Sequence, residues 1–185
     1  LEWQPDMEVH LSTQANTTNG HTVAFWAKQG VKRVVLAREL SLDEIKEIKD
    51  MVGGAVELET FVHGAMCISY SGRCLLSNYL TGRDSNRGEC VQACRWEYKI
   101  AEASRPNNPL TLMEDEKGSY ILNSRDLNMI RHVKELAEAG IDSFKIEGRM
   151  KSEYYVGSVV NAYRRAIDAY NRSPETYVLP ENLVK

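Results

Sequence analysis

The sequence predicts an α/β protein of four βα units resembling half of a TIM-type (β/α)8 barrel, with a long cysteine-containing insertion after the third strand. Three observations predict it. Period-two runs alternate with amphipathic helical patterns along the chain, and a parallel strand pair needs a crossover of about a dozen residues or more, which a helix supplies. The strand runs carry polar side chains on one face, whereas strands of a doubly wound sheet, the alternative, are buried on both faces and read as nearly continuous apolar runs. Finally, about sixty residues separate the third strand from the next helix start, far more than an ordinary βα connection.

Each element has its own signal. The first strand is expected from Glu8 to Thr13, with Glu8, His10, Ser12 and Gln14 on one face. Val23, Trp26 and Ala27 then recur at helical spacing between Thr18 and Gln29, and Gly30 supplies a stop. The second strand, Arg33 to Ala37, leads to Ser41 with Glu44 three residues on. That pair is a capping box, in which each side chain satisfies the other's backbone N–H. Leu42, Ile45 and Ile48 share a face of this second helix, and Gly53-Gly54 ends it. The third strand, Val56 to Phe61, places Glu57 and Glu59 on one face. Ser124 is the expected N-cap of the third helix, whose stripe is Leu127, Ile130, Val133 and Leu136, closed by Gly140. A fourth strand from Ser143 to Glu147 aligns Lys145 with Glu147, and a fourth helix runs from Ser152 to Asn171.

In a β/α barrel such inward polar side chains meet near the C-terminal mouth, where the loops after the strands build the site. The insertion then overhangs that mouth. The expected organisation is a partial barrel, its C-terminal half, over residues 1–172, with the insertion at 61–123. Residues 173–185, containing Pro174 and Pro180, are expected to begin a linker toward a downstream domain. The sequence opens at Leu1 and not Met, so a piece of a longer protein is expected. Exposed barrel edges predict self-association.

Composition narrows the function classes. A chain of 185 residues with 43% apolar and 26% charged side chains has the make-up of a globular domain. Its net charge of -3 gives no global field for nucleic acid or membrane. No apolar run approaches the roughly 20 residues that span a bilayer, and no basic-then-apolar leader is present, so no membrane partner and a cytoplasmic setting are expected. Four cysteines are too few for a disulfide scaffold at this length.

All four cysteines fall between residues 67 and 94, spaced C-x6-C-x15-C-x3-C as Cys67, Cys74, Cys90 and Cys94. Structural zinc favours close C-x2-4-C pairs, which only Cys90 and Cys94 provide. Iron-sulfur clusters accept more varied spacings of four thiolates. Spacing alone leaves iron-sulfur, zinc and free structural cysteines all open.

The run from Glu59 through Cys74 to Ser77, and the run from Arg87 to Trp96, resemble the signature of peptidase family U32, the collagenase-like peptidases. Further likeness lies in His10 to Asn16, Val34 to Leu40 and Lys145 to Ser152. The nearest subgroup is similar to proteins of tRNA wobble-uridine 5-hydroxylation. This resemblance implies a [4Fe-4S] cluster on Cys67, Cys74, Cys90 and Cys94, with zinc as the alternative. It also implies prephenate as a co-substrate, an anion suited to Arg38, Lys145 or Arg149.

Two enzymatic readings follow, and a third makes the chain a zinc or iron-sulfur binding module without catalysis of its own. For RNA modification, Glu59 or Glu147 would act as acid or base, with Lys145 and Arg149 beside them. Phosphates or other anions would meet Arg38, Arg73, Arg95 and Lys151, among two basic clusters that also include Arg83, Arg87, Lys99, Arg164, Arg165 and Arg172. Tyr70, Tyr79, Trp96, Tyr98, Tyr154 and Tyr155 would stack on unpaired bases. Arg73, between Gly72 and Cys74, is alternatively placed to neutralise a thiolate-ligated cluster. For the peptidase reading, G-x-S-x-G and H-E-x-x-H are both absent. The peptidase site would be a cysteine nucleophile paired with His63 or His10, or a metal-dependent site, acting on a peptide substrate.

Overall fold

The computed structural model describes residues 6–96, 98–111 and 126–183. It is a mixed α/β structure around a mostly parallel sheet. Strands β1 (His10–Leu11), β2 (Arg33–Val35) and β3 (Glu57–Gly64) pair in parallel in that order. Three further strands precede the last parallel one. β4 (Lys99–Glu102) and β5 (Arg105–Thr111) form a separate antiparallel hairpin. β6 (Leu127–Asn128) pairs antiparallel with His63 and Gly64 at the end of β3. β7 (Ser143–Ile146) then pairs in parallel with β3, with Glu59 opposite Ser143 and a register shift between Phe61 and His63.

The helices begin where the side chains cap them. In α1 (Gly20–Lys28) the Asn19 side chain accepts from Thr22 N at 2.9 Å. In α2 (Leu42–Val52) the capping box is complete: Ser41 Oγ accepts from Glu44 N, and the Glu44 carboxylate accepts from Ser41 N at 2.7 Å. Those bonds hold the Glu44 carboxyl below the usual carboxylate range. α3 (Leu76–Thr81) lies in the cysteine-bearing segment, and α4 (Val133–Glu138) follows a 3-10 turn at Ile130–His132. α5 (Glu153–Arg172) is capped by Ser152. Among the described residues no helix is long and apolar enough to cross a membrane.

Two sequence expectations are corrected. Leu127 belongs to β6 and not to a helix; it was in phase with Ile130 and Val133, but the ladder with Gly64 captures its backbone first. The first strand spans two residues instead of six, because Ser12 turns the chain into a 3-10 turn by accepting from Gln14 N. The expected N-cap Ser124 and the end of the 61–123 insertion lie outside the described residues.

One face of the sheet buries the core. Val34 and Leu36 from β2 and its end, with Leu58 and Val62 from β3, pack against Val23 of α1, Ile45 and Ile48 of α2, Val133 and Leu136 of α4, and Tyr163 and Ala166 of α5. Thus α1, α2, α4 and α5 share one cluster with one sheet face. Full burial of each such aliphatic side chain stabilises by about 1.5–3 kcal/mol before entropy is subtracted. Beyond α5, the ring of Tyr177 meets Tyr170 edge-on, and Leu179 and Leu183 join the rim of this core.

The alternate strand positions carry polar groups. Arg33 Nη2 reaches Glu57 at 2.7 Å and its Nη1 reaches Glu59 at 3.4 Å. Glu59 also accepts from Ser143 Oγ at 2.8 Å and lies 3.3 Å from Lys145 Nζ. Partly exposed ion pairs like these contribute at most about 1 kcal/mol each. Stability alone does not account for keeping this face polar.

Candidate functional site

Because β1, β2, β3 and β7 run parallel, the chain leaves all four at the same edge of the sheet, the place where ligands bind in α/β folds. Ser12 and Gln14 follow β1, Arg38 follows β2, Ala65 to Cys67 follow β3, and Glu147 and Arg149 follow β7. The segment from residue 65 to residue 95 folds over this edge and encloses a cavity of about 540 Å³, within the range of small-molecule sites. All four cysteines line it, together with Arg38, Arg95, Lys145, Glu147 and Arg149.

The segment is fixed by hydrogen bonds from side chain to backbone. The Cys74 carbonyl accepts from Ser85 Oγ at 2.7 Å and from Asn86 Nδ2 at 2.9 Å. Buried Ser77 accepts from Val91 N, and Tyr98 donates to the Ala93 carbonyl at 2.8 Å. Glu39, just past β2, accepts from Ser71 N at 2.9 Å. Beside it Gly72 adopts φ +76, and a Cβ there would stand 2.2 Å from the Gln14 carbonyl oxygen, so only glycine brings the loop this close to the end of β1.

All four cysteines are free thiols. Burial pushes the Cys67 thiol up, Arg38 pulls it back, and Cys90, Cys74 and Glu147 push it further up. Burial likewise raises Cys94, reinforced by Cys90, Cys67 and Cys74 and opposed by Arg95. Cys67 and Cys94 thus each sense the neighbouring cysteines. Gln92 N donates to Cys90 Sγ at 3.2 Å, and Arg38 Nη1 donates to Cys67 Sγ at 3.0 Å. Among the described residues no three Cys, His, Asp or Glu side chains converge on one point as ligands of a single metal ion.

The structure leaves Glu59, His63, Arg73 and Lys151 outside the cavity wall. Glu59 is held in the ion network of the polar face. Arg73 is exposed to solvent. The His63 ring packs against Tyr155 at 5.9 Å and Tyr163 at 5.6 Å between centroids, with Nδ1 buried and unpaired. Burial lowers its pKa, with Asp126 raising it and Lys151 lowering it.

Sequence reasoning missed Asp126. Its carboxylate accepts from Arg95 Nη1 at 2.7 Å, Lys151 Nζ at 2.8 Å and Tyr155 Oη at 2.9 Å. It thereby ties the cysteine-bearing segment to the start of α5. Burial would raise this carboxyl, but the bonds from Lys151 and Tyr155 and the charges of Arg95 and Lys151 outweigh it and hold the group below the usual carboxylate range. Conversely, burial and the bond to Asp126 push Tyr155 up to about 12. No local spacing signals this hub, since its partners lie 25 to 31 residues away.

The family model of peptidase family U32 matches residues 1–184. This chain belongs to peptidase family U32. The U32 chain is 50% identical over 175 residues to tRNA hydroxylation protein P1 of Bacillus subtilis, covering 95% of this chain and 41% of that protein. It is 38% identical over 165 residues to the 23S rRNA 5-hydroxycytidine C2501 synthase of Escherichia coli, covering 89% and 24%. It is 37% identical over 173 residues to a collagenase of Porphyromonas gingivalis, covering 89% and 40%. The U32 chain thus spans less than half the length of these relatives. No solved structure matches it.

Proposed function

We propose that this chain is part of a cytoplasmic RNA-hydroxylating protein of the U32 family, acting in 5-hydroxylation of the tRNA wobble uridine, with a [4Fe-4S] cluster held by Cys67, Cys74, Cys90 and Cys94. The observation that carries the reading is the sharing of one cation-lined cavity by four free cysteines at the C-terminal edge of a parallel sheet. Support for RNA comes from relatives named for tRNA and rRNA hydroxylation.

Four thiols on one cavity wall support the cluster reading, with zinc as the alternative. Zinc needs four ligands within about 2.3 Å of one point, and the thiols do not converge that way. A cluster takes each thiolate at a separate iron, which suits four sulfurs spread over a cavity wall. When bound, the cluster supplies one-electron redox chemistry at the mouth. The chain's own residues do the rest. Lys145, Arg149 and Arg95 present cationic groups to an anionic co-substrate such as prephenate. Glu147, whose Oε1 accepts from Arg149 N at 2.9 Å, is the cavity carboxylate available as acid or base. Exposed Arg73, Arg83 and Arg87, beside exposed Tyr70, Tyr79 and Trp96, supply phosphate contacts and stacking surfaces for RNA. Lys151 is bound to Asp126 and serves this site by holding it.

The same reading takes the sheet as half of a β/α barrel: four helices cover one face, and the polar face of Arg33, Glu57, Glu59 and Lys145 becomes its interior. Residues 1–172 form that half, 173–185 lead toward a downstream domain, and the open sheet edges mediate self-association. A collagenase relative keeps peptide hydrolysis as the competing reading, but His63 packs against two tyrosine rings and does not line the cysteine cavity.

In cells lacking the full-length protein, nucleosides released from tRNA should lose 5-hydroxyuridine derivatives at the wobble position by mass spectrometry. Unchanged nucleosides, with gelatin hydrolysis by the pure protein that Cys67→Ala abolishes, would favour the peptidase instead.

A further inference from the structure

We infer that Arg38 is a positioning residue that sets the charge environment of the Cys67 corner of the site, and with it the reduction potential of the group bound there. This rests on the proposal that the four cysteines hold an iron-sulfur cluster. Four observations lead to Arg38. Its Nη1 donates to Cys67 Sγ at 3.0 Å. The guanidinium carbon lies 3.6 Å from the centre of the buried Phe61 ring, which fixes the plane of the fork. Among the described residues no carboxylate lies within ion-pair distance of Arg38, and its Nε is buried without a partner. Two other cavity cations differ: Lys145 faces Glu59, and Arg95 is engaged by Asp126.

A partly buried arginine with an unpartnered Nε and no carboxylate beside it leaves charge incompletely compensated, which costs free energy. An anionic thiolate-ligated group at Cys67 removes that cost. Cys67 is the exposed residue among the four cysteines, although its sulfur is partly desolvated beside the guanidinium. Hydrogen bonds to sulfur, net charge and exposure set cluster potentials. Reduction adds one negative charge, which Arg38 stabilises more than it stabilises the oxidised form. Removing Arg38 therefore makes the cluster harder to reduce. A lysine keeps the charge but neither the planar fork nor the stack on Phe61.

The test is a reductive titration of the anaerobically purified full-length protein with dithionite, followed by electron paramagnetic resonance alongside iron and sulfide content. Arg38→Gln should retain its iron and shift the oxidised-to-reduced equilibrium about tenfold toward the oxidised form, a lowering of about 59 mV for one electron. Arg38→Lys should fall between Arg38→Gln and wild type, and Arg164→Gln on the outer surface of α5 should leave the potential unmoved. A loaded Arg38→Gln protein at the wild-type potential, or one matched by Arg164→Gln, overturns the inference alone. If Arg38→Gln loses its iron, Arg38→Lys decides: a lowered potential supports the inference and an unchanged one overturns it. A wild-type protein without a cluster overturns this inference and the cofactor proposal together.

Discussion

Replacing Gly64 with alanine should destabilise the protein by about 3 kcal/mol, a drop of roughly 6–12 °C in midpoint temperature for a domain of this size. Gly64 ends β3 at φ +107, where an L-residue is strained. The larger contribution is steric. A Cβ there would stand 2.2 Å from the Glu147 carbonyl oxygen and 2.9 Å from its Cβ, atoms of the strand partner and not the tip of a flexible side chain. Relief requires β3 and β7 to part where Glu147 N donates to the His63 carbonyl at 2.8 Å. Cys67 follows three residues later, so the same change should displace the cysteine cavity. Thermal unfolding of the full-length variant tests this; a midpoint within 1 °C of wild type would show that the close approach is not needed.

Asp126→Ala is expected to cost about 2–3 kcal/mol. It removes the shared acceptor of Arg95, Lys151 and Tyr155, whose ion pairs are roughly one-fifth exposed, so most of the penalty for stranding buried charges applies. Asp126→Asn, which keeps an acceptor for Tyr155, should cost less. The pH dependence has a definite sign. The folded carboxyl is held below its unfolded value, so its contribution is full above about pH 3.9 and is lost as pH falls through the lower folded value. The gap between wild type and Asp126→Ala in urea denaturation should therefore not narrow from pH 8 to pH 5 and should close only below about pH 4. A gap that already closes between pH 7 and pH 5 would contradict it. His63 adds a second loss on acidification, larger in Asp126→Ala, where the carboxylate that raises its pKa is gone. Its folded pKa is lowered by burial, so below about pH 6.5 the unfolded chain takes up a proton that the folded ring resists.

What was legible in the sequence was local. Ser41 and Glu44 announce α2 because both halves of the capping box lie within one turn, and the alternation of Glu57, Glu59 and Phe61 with Leu58, Thr60 and Val62 announces a sheet with one apolar face. The four cysteines were visible as one group because a single segment holds them all, and they line one cavity. What failed was nonlocal. Leu127 has helical spacing to its neighbours yet joins a ladder with Gly64. His63, expected to act beside the cysteines, is turned toward Tyr155 and Tyr163 at a register shift in β3. Asp126 offers no motif, since its role exists only once α5 and the cysteine segment meet. The hairpin of β4 and β5 was likewise hidden inside a stretch that reads only as a long insertion.

The account rests on four thiols acting as one ligand set. The most direct measurement is iron and acid-labile sulfide in the anaerobically purified full-length protein, with its visible absorption, for wild type and for Cys67→Ala, Cys74→Ala, Cys90→Ala and Cys94→Ala. Wild type should carry about four iron and four sulfide per chain, as a [4Fe-4S] cluster requires, with a broad visible band that each substitution removes or sharply reduces. A colourless wild-type protein carrying stoichiometric zinc, or single variants that keep the full complement of iron, would contradict it.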